Sequence, residues 1–261
     1  MTIAEKNFEG QVVVVTGGTK GIGKVIAENF LRVGAEVVVC ARNAPEVPIA
    51  YDGRQANFVT CDVRDHEQIK TVIALCEDSY GKLDILVNNA GGAPPADSST
   101  ASERFTRSVI DLNLVSTILF SQEAANLIRK SIGTGVILNI SSVSGMRANP
   151  LGVAYGAAKA GVINATETLA LEWGPNIRVV SITAGLILTD ESRSFYGDDE
   201  SVAKIAATLP MQRLGDPQDV ANACLFAASD KAKWISGSNI VLHGGGDKPT
   251  YLEATDLMKG S

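Results

Sequence analysis

The chain has 261 residues and a formal net charge of −6; 45% of its residues are hydrophobic and 20% are charged. This composition supplies enough apolar side chains for a full core and argues against a disordered chain. The negative charge, without a basic stripe of interleaved aromatic residues, argues against a nucleic-acid partner. We therefore expect one globular domain over residues 1–261.

The sequence carries no signal for export, membrane insertion or metal binding. Residues 1–10 contain charged side chains and no apolar signal core. No run reaches the roughly 18 apolar residues that a membrane span needs. The histidines and cysteines form neither a metal-ligand pattern nor a C-x-x-C pair. We predict a cytoplasmic protein with reduced thiols, no metal site and no membrane partner.

Strand patterns alternate with helix patterns along the chain. Residues 11–16 include four consecutive valines, as in a strand buried on both faces. Apolar residues at helical spacing predict helices over 24–33, 69–76, 105–130 and 155–173. Further strands are predicted at residues 36–40, 57–61, 83–88, 135–139, 177–182 and 239–242.

This alternation predicts an α/β fold. We expect a single Rossmann-like domain with a doubly wound parallel sheet of seven strands and helices on both faces. Ligands bind such sheets at the carboxyl ends of the strands, so the residues after each strand are candidate functional residues. Two regions interrupt the alternation: residues 44–54 are predicted as a loop, and residues 186–211 as a candidate substrate lid.

The turn after the first predicted strand is rich in glycine and leads directly into a helix. A dinucleotide pyrophosphate binds at such a helix N-terminus. Glycines here permit a tight turn, a close approach of the backbone and close packing of helix on strand. The predicted cofactor-binding residues of the turn are Gly17, Gly18, Thr19, Lys20, Gly21, Ile22 and Gly23.

The residues after the second predicted strand indicate which cofactor is used. In an NAD site a carboxylate here binds the adenosine ribose hydroxyls, but this chain has Ala41 and Arg42. The Arg42 guanidinium suits a 2′-phosphate, and Lys20 can add a second positive charge. We expect NADP, with NAD less favoured; the alternative is that Arg42 is a solvated surface side chain.

A tyrosine and a lysine at helical spacing form the candidate catalytic pair. Tyr155 and Lys159 are i and i+4, so they stand on one helix face. A neighbouring ammonium lowers a tyrosine pKa toward the range useful for acid–base catalysis. Ser142 follows the fifth predicted strand and can hold a substrate oxygen, with Ser141 as the alternative. The pair alone is also consistent with ordinary surface side chains.

Together these motifs resemble the single-domain short-chain dehydrogenase/reductase family over residues 12–246. The glycine turn resembles the family's TGxxxGxG, and residues 155–159 match its YxxxK. Residues 61–63 resemble its acidic adenine site, and residues 88–91 its NNAG sequence. By this resemblance the cofactor site also includes Asp62, Val63, Asn89, Ala90, Gly91, Tyr155, Lys159, Gly185, Ile187 and Thr189.

The resemblance also implies a mechanism. Tyr155 would protonate the carbonyl, Lys159 would bind the nicotinamide ribose and lower the Tyr155 pKa, and Ser142 would orient the substrate oxygen. Asn113 matches an asparagine that holds a water in a proton relay; the alternative is a bond to a backbone carbonyl at a helix kink. The implied activity is NAD(P)(H)-dependent interconversion of a ketone and a secondary alcohol, by a homotetramer.

Two positions depart from the family's pattern. Residues 183–185 read Thr-Ala-Gly where Pro-Gly is usual, so the turn supporting the nicotinamide loses the fixed φ of proline. His243 precedes three glycines where an acidic residue is usual.

The candidate lid predicts an apolar substrate, such as a 3-oxoacyl, steroid-like or other carbonyl compound. Packing of the lid against itself is the alternative reading. A non-catalytic, NADP-binding redox sensor and a nucleotide-sugar epimerase are rival functions; a sensor is expected to lack Tyr155 or Lys159. The apolar lid residues are Leu186, Ile187, Leu188, Phe195, Tyr196 and Leu209.

Overall fold

The computed structural model describes residues 8–246. The predicted domain over residues 1–261 therefore extends outside the described residues at both ends, as does most of the segment 1–10 expected to lack a signal core. The predicted fold is confirmed: the described chain is one domain built on a seven-stranded parallel sheet.

Strands and helices alternate as the sequence patterns predicted, with boundaries that differ by a few residues. In chain order the elements are β1 Val12–Thr16, α1 Gly21–Arg32, β2 Glu36–Ala41, β3 Ala50–Tyr51, β4 Arg54–Gln55, β5 Asn57–Thr60, α2 His66–Tyr80, β6 Ile85–Asn88, α3 Glu103–Ile110, α4 Ser116–Ser131, β7 Gly135–Ser142, α5 Val153–Trp173, β8 Ile177–Ala184, α6 Asp190–Tyr196, α7 Asp199–Thr208, α8 Pro217–Ala228 and β9 Asn239–Leu242.

The strand order is β5-β2-β1-β6-β7-β8-β9, and neighbouring strands of this sheet are all parallel. Every residue of β1 is buried, because helices cover both faces of the sheet. Helices α1 and α8 pack on one face, and α2 and α4 on the other. The strand order reverses between β1 and β6, which places a crevice at their carboxyl ends.

The segment predicted as a loop at residues 44–54 contains a short antiparallel hairpin, so that prediction was wrong in part. Strands β3 and β4 are joined by Asp52 and Gly53, which have φ values of 47° and 79°. Positive φ at both central residues is the requirement of a tight hairpin turn, and an Asp-Gly pair is its usual sequence signal. Ile49, only 2% exposed, anchors the hairpin to the core.

The long helix predicted over residues 105–130 is divided in the structure. A π-helical turn at Asp111–Val115 separates α3 from α4. Such single turns add a residue to the helix and often occur at functional sites. The candidate lid, residues 186–211, contains α6 and α7. Among the described helices, none combines the length and the apolar character needed to cross a membrane.

Candidate active site

A cavity of about 520 Å³ lies at the carboxyl ends of the central strands. It extends from the glycine turn after β1, past the ends of β2 and β5, to the start of α5 and the turn after β8. The structure brings nearly all of the predicted site residues to this cavity. The two that do not line it are Gly18 and Asn113.

The glycine turn has space for backbone but not for side chains. A Cβ on Gly23 would lie 2.3 Å from the Gly17 carbonyl oxygen, and one on Gly18 would lie 2.6 Å from Val39. Helix α1 therefore starts close against β1, with no acidic residue in its first turn. This arrangement leaves the helix N-terminus suited to an anionic pyrophosphate.

A hydrogen-bonded junction connects the glycine turn to the loop after β6. The Thr16 hydroxyl accepts from the backbone N–H groups of Asn89 and Ala90, at 3.0 and 2.9 Å. The Asn89 amide in turn donates to the Thr16 carbonyl at 2.9 Å. Sequence reasoning missed Thr16; its position as the last, polar residue of a valine strand was the available signal.

The end of the cavity beside β2 and β5 carries two arginines. Arg42 is exposed at the end of β2, as the cofactor prediction requires. Arg64, which sequence reasoning missed, holds both Asp62 carboxylate oxygens with bonds of 2.9 and 2.5 Å. This pairing lowers the Asp62 pKa below its ordinary value. Arg64 also donates to the Ser108 hydroxyl at 3.0 Å, so it connects the loop after β5 to α3.

Lys20 has a partner on the lid. Its Nζ lies 3.5 Å from the Glu191 carboxylate, with both side chains largely exposed. Exposed pairs of this kind contribute little to stability. The predicted contact of Lys20 with a 2′-phosphate would therefore compete with Glu191.

The candidate catalytic groups meet where β7 ends and α5 begins. The Ser142 and Tyr155 side chains both line the cavity, and the Ser142 hydroxyl accepts from the Ser144 N–H at 3.2 Å. Burial raises the Tyr155 pKa above its ordinary value, and the Ser142 hydroxyl acts in the opposite direction. Ser141 has a different role: its hydroxyl donates to the Lys159 backbone carbonyl at 2.9 Å.

Lys159 is 4% exposed and stands beside the Tyr155 ring, with Nζ 5.7 Å from the ring centroid. Its Nζ donates to the Ile140 carbonyl at 2.8 Å, and burial lowers the Lys159 pKa to about 8. Because burial gives the Tyr155 pKa a net upward shift, the lowering of this pKa by Lys159 stays a prediction. The ammonium is directed at Ile140 rather than at the phenol oxygen.

Asn113 lies in the π-helical turn and is fully buried. Its amide donates to the carbonyls of Val109 and Gly92, at 2.9 and 3.0 Å, and its oxygen accepts from the Gly92 N–H at 2.7 Å. The side chain thus makes the kink contact considered as the alternative. Gly91 permits this approach, since a Cβ there would lie 2.7 Å from the Asn113 oxygen. The water relay stays a prediction.

A buried amide ladder fixes β6, β7 and α5 against each other. Asn88 donates to Asn139 and to the Ser121 hydroxyl, each at 2.9 Å. Asn139 then donates to the Thr166 hydroxyl on α5 at 2.9 Å. Sequence reasoning missed this ladder, because it depends on which strands are neighbours.

The turn after β8 is held without the usual proline. Ala184 remains in the sheet, paired with Ser142, and the Gly185 N–H donates to the Leu242 carbonyl at 2.8 Å. Ile187 is 6% exposed, and the Thr189 hydroxyl caps α6 by accepting from the Ser192 N–H. Backbone hydrogen bonds therefore hold this turn in place, where the family that the chain resembles relies on the fixed φ of a proline.

The apolar lid residues divide into two groups. Ile187 and Leu209 are buried in or beside the core, which favours the packing alternative for them. Tyr196 lines the cavity near Tyr155, and burial raises its pKa. Phe195 is 70% exposed and contacts the Tyr196 ring edge to face.

Among residues 8–246, no group of three or more His, Cys, Asp or Glu side chains is arranged to hold a metal ion. The four cysteines are buried and free.

Known proteins are similar to this chain over nearly its full length. A family model described as enoyl-(acyl carrier protein) reductase matches residues 17–246. The chain is 37% identical to 7α-hydroxysteroid dehydrogenase of Escherichia coli K12, covering 92% of this chain and 95% of that protein. It is 35% identical to glucose 1-dehydrogenase 2 of Bacillus subtilis, covering 92% and 96%.

A solved structure is also similar. Aldohexose dehydrogenase of Thermoplasma acidophilum, in its ligand-free form, superposes with a TM-score of 0.85. The two chains are 31% identical, and the match covers 91% of this chain and 94% of that one.

Proposed function

Since the chain belongs to the single-domain short-chain dehydrogenase/reductase family and is an NAD(P)-dependent oxidoreductase of alcohol and ketone groups, we propose that it works through Ser142, Tyr155 and Lys159, with NADP as the preferred cofactor. The observation that carries this proposal is that Ser142, Tyr155 and the buried Lys159 line the same cavity as the glycine turn. The cavity volume falls in the range of ligand sites.

The cofactor, when bound, supplies or accepts the hydride at the substrate carbon. In the reducing direction, Tyr155 donates its hydroxyl proton to the carbonyl oxygen, so that ketone, hydride and proton give the secondary alcohol. Ser142 donates a hydrogen bond to the same oxygen, which favours the negative charge developing there. Lys159 holds the nicotinamide ribose and assists the tyrosinate.

The cofactor site in this proposal comprises the glycine turn, Arg42, the adenine loop after β5, the loop after β6 and the turn after β8. The glycines at 17 and 23 support it, since a Cβ at either position would press on the loop after β6 or on the turn itself and would open the tight turn that a pyrophosphate needs. We assign binding to Gly17, Gly18, Thr19, Lys20, Gly21, Ile22, Gly23, Arg42, Asp62, Val63, Asn89, Ala90, Gly91, Tyr155, Lys159, Gly185, Ile187 and Thr189.

A screen of carbonyl compounds tests the proposed activity. With NADPH in excess, we expect oxidation of the cofactor with at least one apolar ketone among steroid ketones, 3-oxoacyl thioesters and small diketones. A primary isotope effect with deuterated NADPH would identify hydride transfer. The redox-sensor alternative predicts tight NADPH binding with no turnover of any ketone, and that result would replace our proposal.

Arg42 is the residue on which the NADP preference depends. Its guanidinium stands at the end of β2, exposed to the cavity, and can pair with a 2′-phosphate in bidentate geometry. The absence of a carboxylate at Ala41 supports the same choice, because NAD sites use one to bind the ribose hydroxyls.

Exchanging these two residues is expected to reverse the cofactor preference. The double variant Ala41→Asp, Arg42→Ser places a carboxylate against the 2′-phosphate and removes its cationic partner. We expect the ratio of kcat/KM for NADPH over NADH to fall by about 10²-fold or more, since a charged pair is replaced by repulsion. Arg32→Ser, on the far end of α1, is the matched control. A wild-type enzyme that already prefers NADH would contradict the NADP assignment.

Three further features belong to the proposal. We infer an apolar substrate from the cavity-facing part of the lid, where Tyr196 and Leu186 lie. A homotetramer and a cytoplasmic location complete it; the four free, buried thiols are consistent with a reducing compartment.

A further inference from the structure

The loop after β5, residues 61–65, holds a carboxylate at the wall of the cofactor cavity. This carboxylate belongs to Asp62, whose side chain is 26% exposed and lines the cavity. The backbone of Asp62 is bonded at both polar groups. Its N–H donates to the Gln68 side-chain oxygen at 2.8 Å, and its carbonyl accepts from the Asp65 N–H at 2.9 Å. The loop therefore fixes the position from which the Asp62 side chain extends.

The Arg64 guanidinium fixes the direction of this carboxylate. Its Nε donates to Asp62 Oδ1 at 2.9 Å and its Nη2 donates to Oδ2 at 2.5 Å, so the two groups form a bidentate pair. The backbone N–H of Arg64 adds a third bond, to Oδ1 at 3.1 Å. The guanidinium is itself anchored, because Nη1 donates to the Ser108 hydroxyl on α3 at 3.0 Å. Rotation of the carboxylate would break several of these bonds, so its orientation is set before a ligand binds.

The bonds from Arg64 leave one acceptor position on the Asp62 carboxylate. Each carboxylate oxygen has two lone pairs. Oδ1 accepts from the Arg64 N–H and from Nε, whereas Oδ2 accepts from Nη2 and, among the described residues, from no second donor. The guanidinium also lowers the pKa of Asp62, so the carboxylate is ionised. An ionised carboxylate with one unused lone pair accepts from a single N–H group and repels a carbonyl oxygen.

The location of Asp62 in the cavity indicates which part of a dinucleotide meets this acceptor. The cavity extends from the glycine turn, past Arg42 at the end of β2, to Asp62 beyond the end of β5, the next strand outward. The proposed function assigns the pyrophosphate to the glycine turn and the 2′-phosphate to Arg42, so the purine base is the part that reaches β5. The 6-amino group of adenine donates hydrogen bonds, whereas a 6-oxopurine has an acceptor at the same position.

We propose that Arg64 determines the base specificity of the cofactor site: it positions Asp62 so that the remaining acceptor selects a dinucleotide with a 6-aminopurine over one with a 6-oxopurine. Arg64 is a positioning residue, because it acts through the Asp62 carboxylate. The inference rests on the proposed function, which places the adenosine half of the cofactor in this part of the cavity. An ion pair with a structural role alone would contribute a little stability and no discrimination between bases.

Two cofactors that differ only in the base test this role in the full-length protein. NADPH is compared with reduced nicotinamide hypoxanthine dinucleotide phosphate, in which an oxygen replaces the 6-amino group, and Kd is measured for each by fluorescence titration. We expect the wild type to bind NADPH at least about tenfold more tightly, because the analogue loses a charge-assisted hydrogen bond and places an oxygen against a carboxylate. If NADH binds more tightly than NADPH, the corresponding pair without the 2′-phosphate is used.

Variants separate the orientation of the carboxylate from the charge beside it. Arg64→Leu removes every side-chain donor, so the Kd ratio between the two cofactors should fall below about threefold. Arg64→Lys keeps the charge and loses the planar fork, so it should retain only part of the ratio. Asp62→Asn can turn its amide to donate to the 6-oxo group, so the two cofactors should bind equally well. Arg104→Leu, at an exposed arginine of α3, is the matched control and should keep the wild-type ratio.

The Kd ratio distinguishes failure of this inference from failure of the proposed function. Equal Kd values for the two cofactors in the wild type, or a wild-type ratio in Arg64→Leu, overturns the role of Arg64 and leaves the oxidoreductase activity in place. If Arg64→Leu does not fold, a wild-type ratio in Arg64→Lys overturns it in the same way. Discrimination that depends on Arg64, in a protein that reduces no ketone, supports this inference and defeats the proposed activity alone.

Discussion

Replacing Tyr155 by Phe is expected to lower kcat by roughly 10²- to 10⁴-fold, the contribution of a positioned acid or base. The substitution removes one hydroxyl and keeps the ring, so the contact between that ring and Lys159 is preserved. NADPH affinity, measured by fluorescence titration, should change little. A large loss of kcat with unchanged NADPH affinity would show that the Tyr155 hydroxyl acts in the chemical step and not in cofactor binding.

The matched control is Tyr51→Phe, in the hairpin strand β3 and remote from the cavity lining. It should turn over at the wild-type rate. A Tyr155→Phe enzyme with near-normal kcat, and with an isotope effect showing that hydride transfer limits the rate, would remove Tyr155 from the mechanism.

The pKa of Tyr155 explains why its neighbours matter. Burial raises this pKa, which opposes formation of the tyrosinate, and the neighbouring Ser142 hydroxyl offsets part of that effect. Loss of the Ser142 hydroxyl should therefore raise the Tyr155 pKa and move the rising, acid-side limb of the kcat/KM profile for alcohol oxidation to higher pH, because the tyrosinate is the base in that direction.

The features that sequence reasoning predicted well are those set by local pattern. The valine run of β1 and the glycine turn are read from adjacent residues, and their pairing with a helix follows from spacing. Tyr155 and Lys159 needed only the i, i+4 geometry of a helix to be placed together.

The features that were missed depend on which distant segments meet. Nothing local indicates that Asn88 bonds to Asn139, because the pairing follows from β6 and β7 being neighbours. Arg64 could have been considered for its spacing from Asp62, but its bond to Ser108 requires the position of α3. The hairpin turn at Asp52 carried a local signal that the interpretation passed over.

Replacing Lys159 by Met is expected to reduce turnover as severely as the loss of Tyr155 and also to weaken NADPH binding. Methionine has similar length and fits an apolar surrounding, so the fold should persist, although the Ile140 carbonyl loses its donor. In Tyr155→Phe only kcat is expected to fall, whereas in Lys159→Met the KM or Kd for NADPH should rise as well. Lys130→Met, an exposed lysine of α4, serves as the control.

The same variant shows whether burial of Lys159 opposes folding. The Lys159 pKa is lowered from 10.5 to about 8, so between these pH values the unfolded chain holds a proton that the folded chain has released. The free energy of unfolding therefore gains a contribution that rises with pH across this window, and Lys159→Met lacks it. Denaturation curves should show the wild type gaining on the order of 2 to 3 kcal/mol of stability relative to the variant as the pH rises across this window. Parallel stability profiles would mean that the buried ammonium carries no such penalty. A gain of the wild type relative to the variant would mean that the chain retains, at a cost in stability, a charge that its chemistry requires.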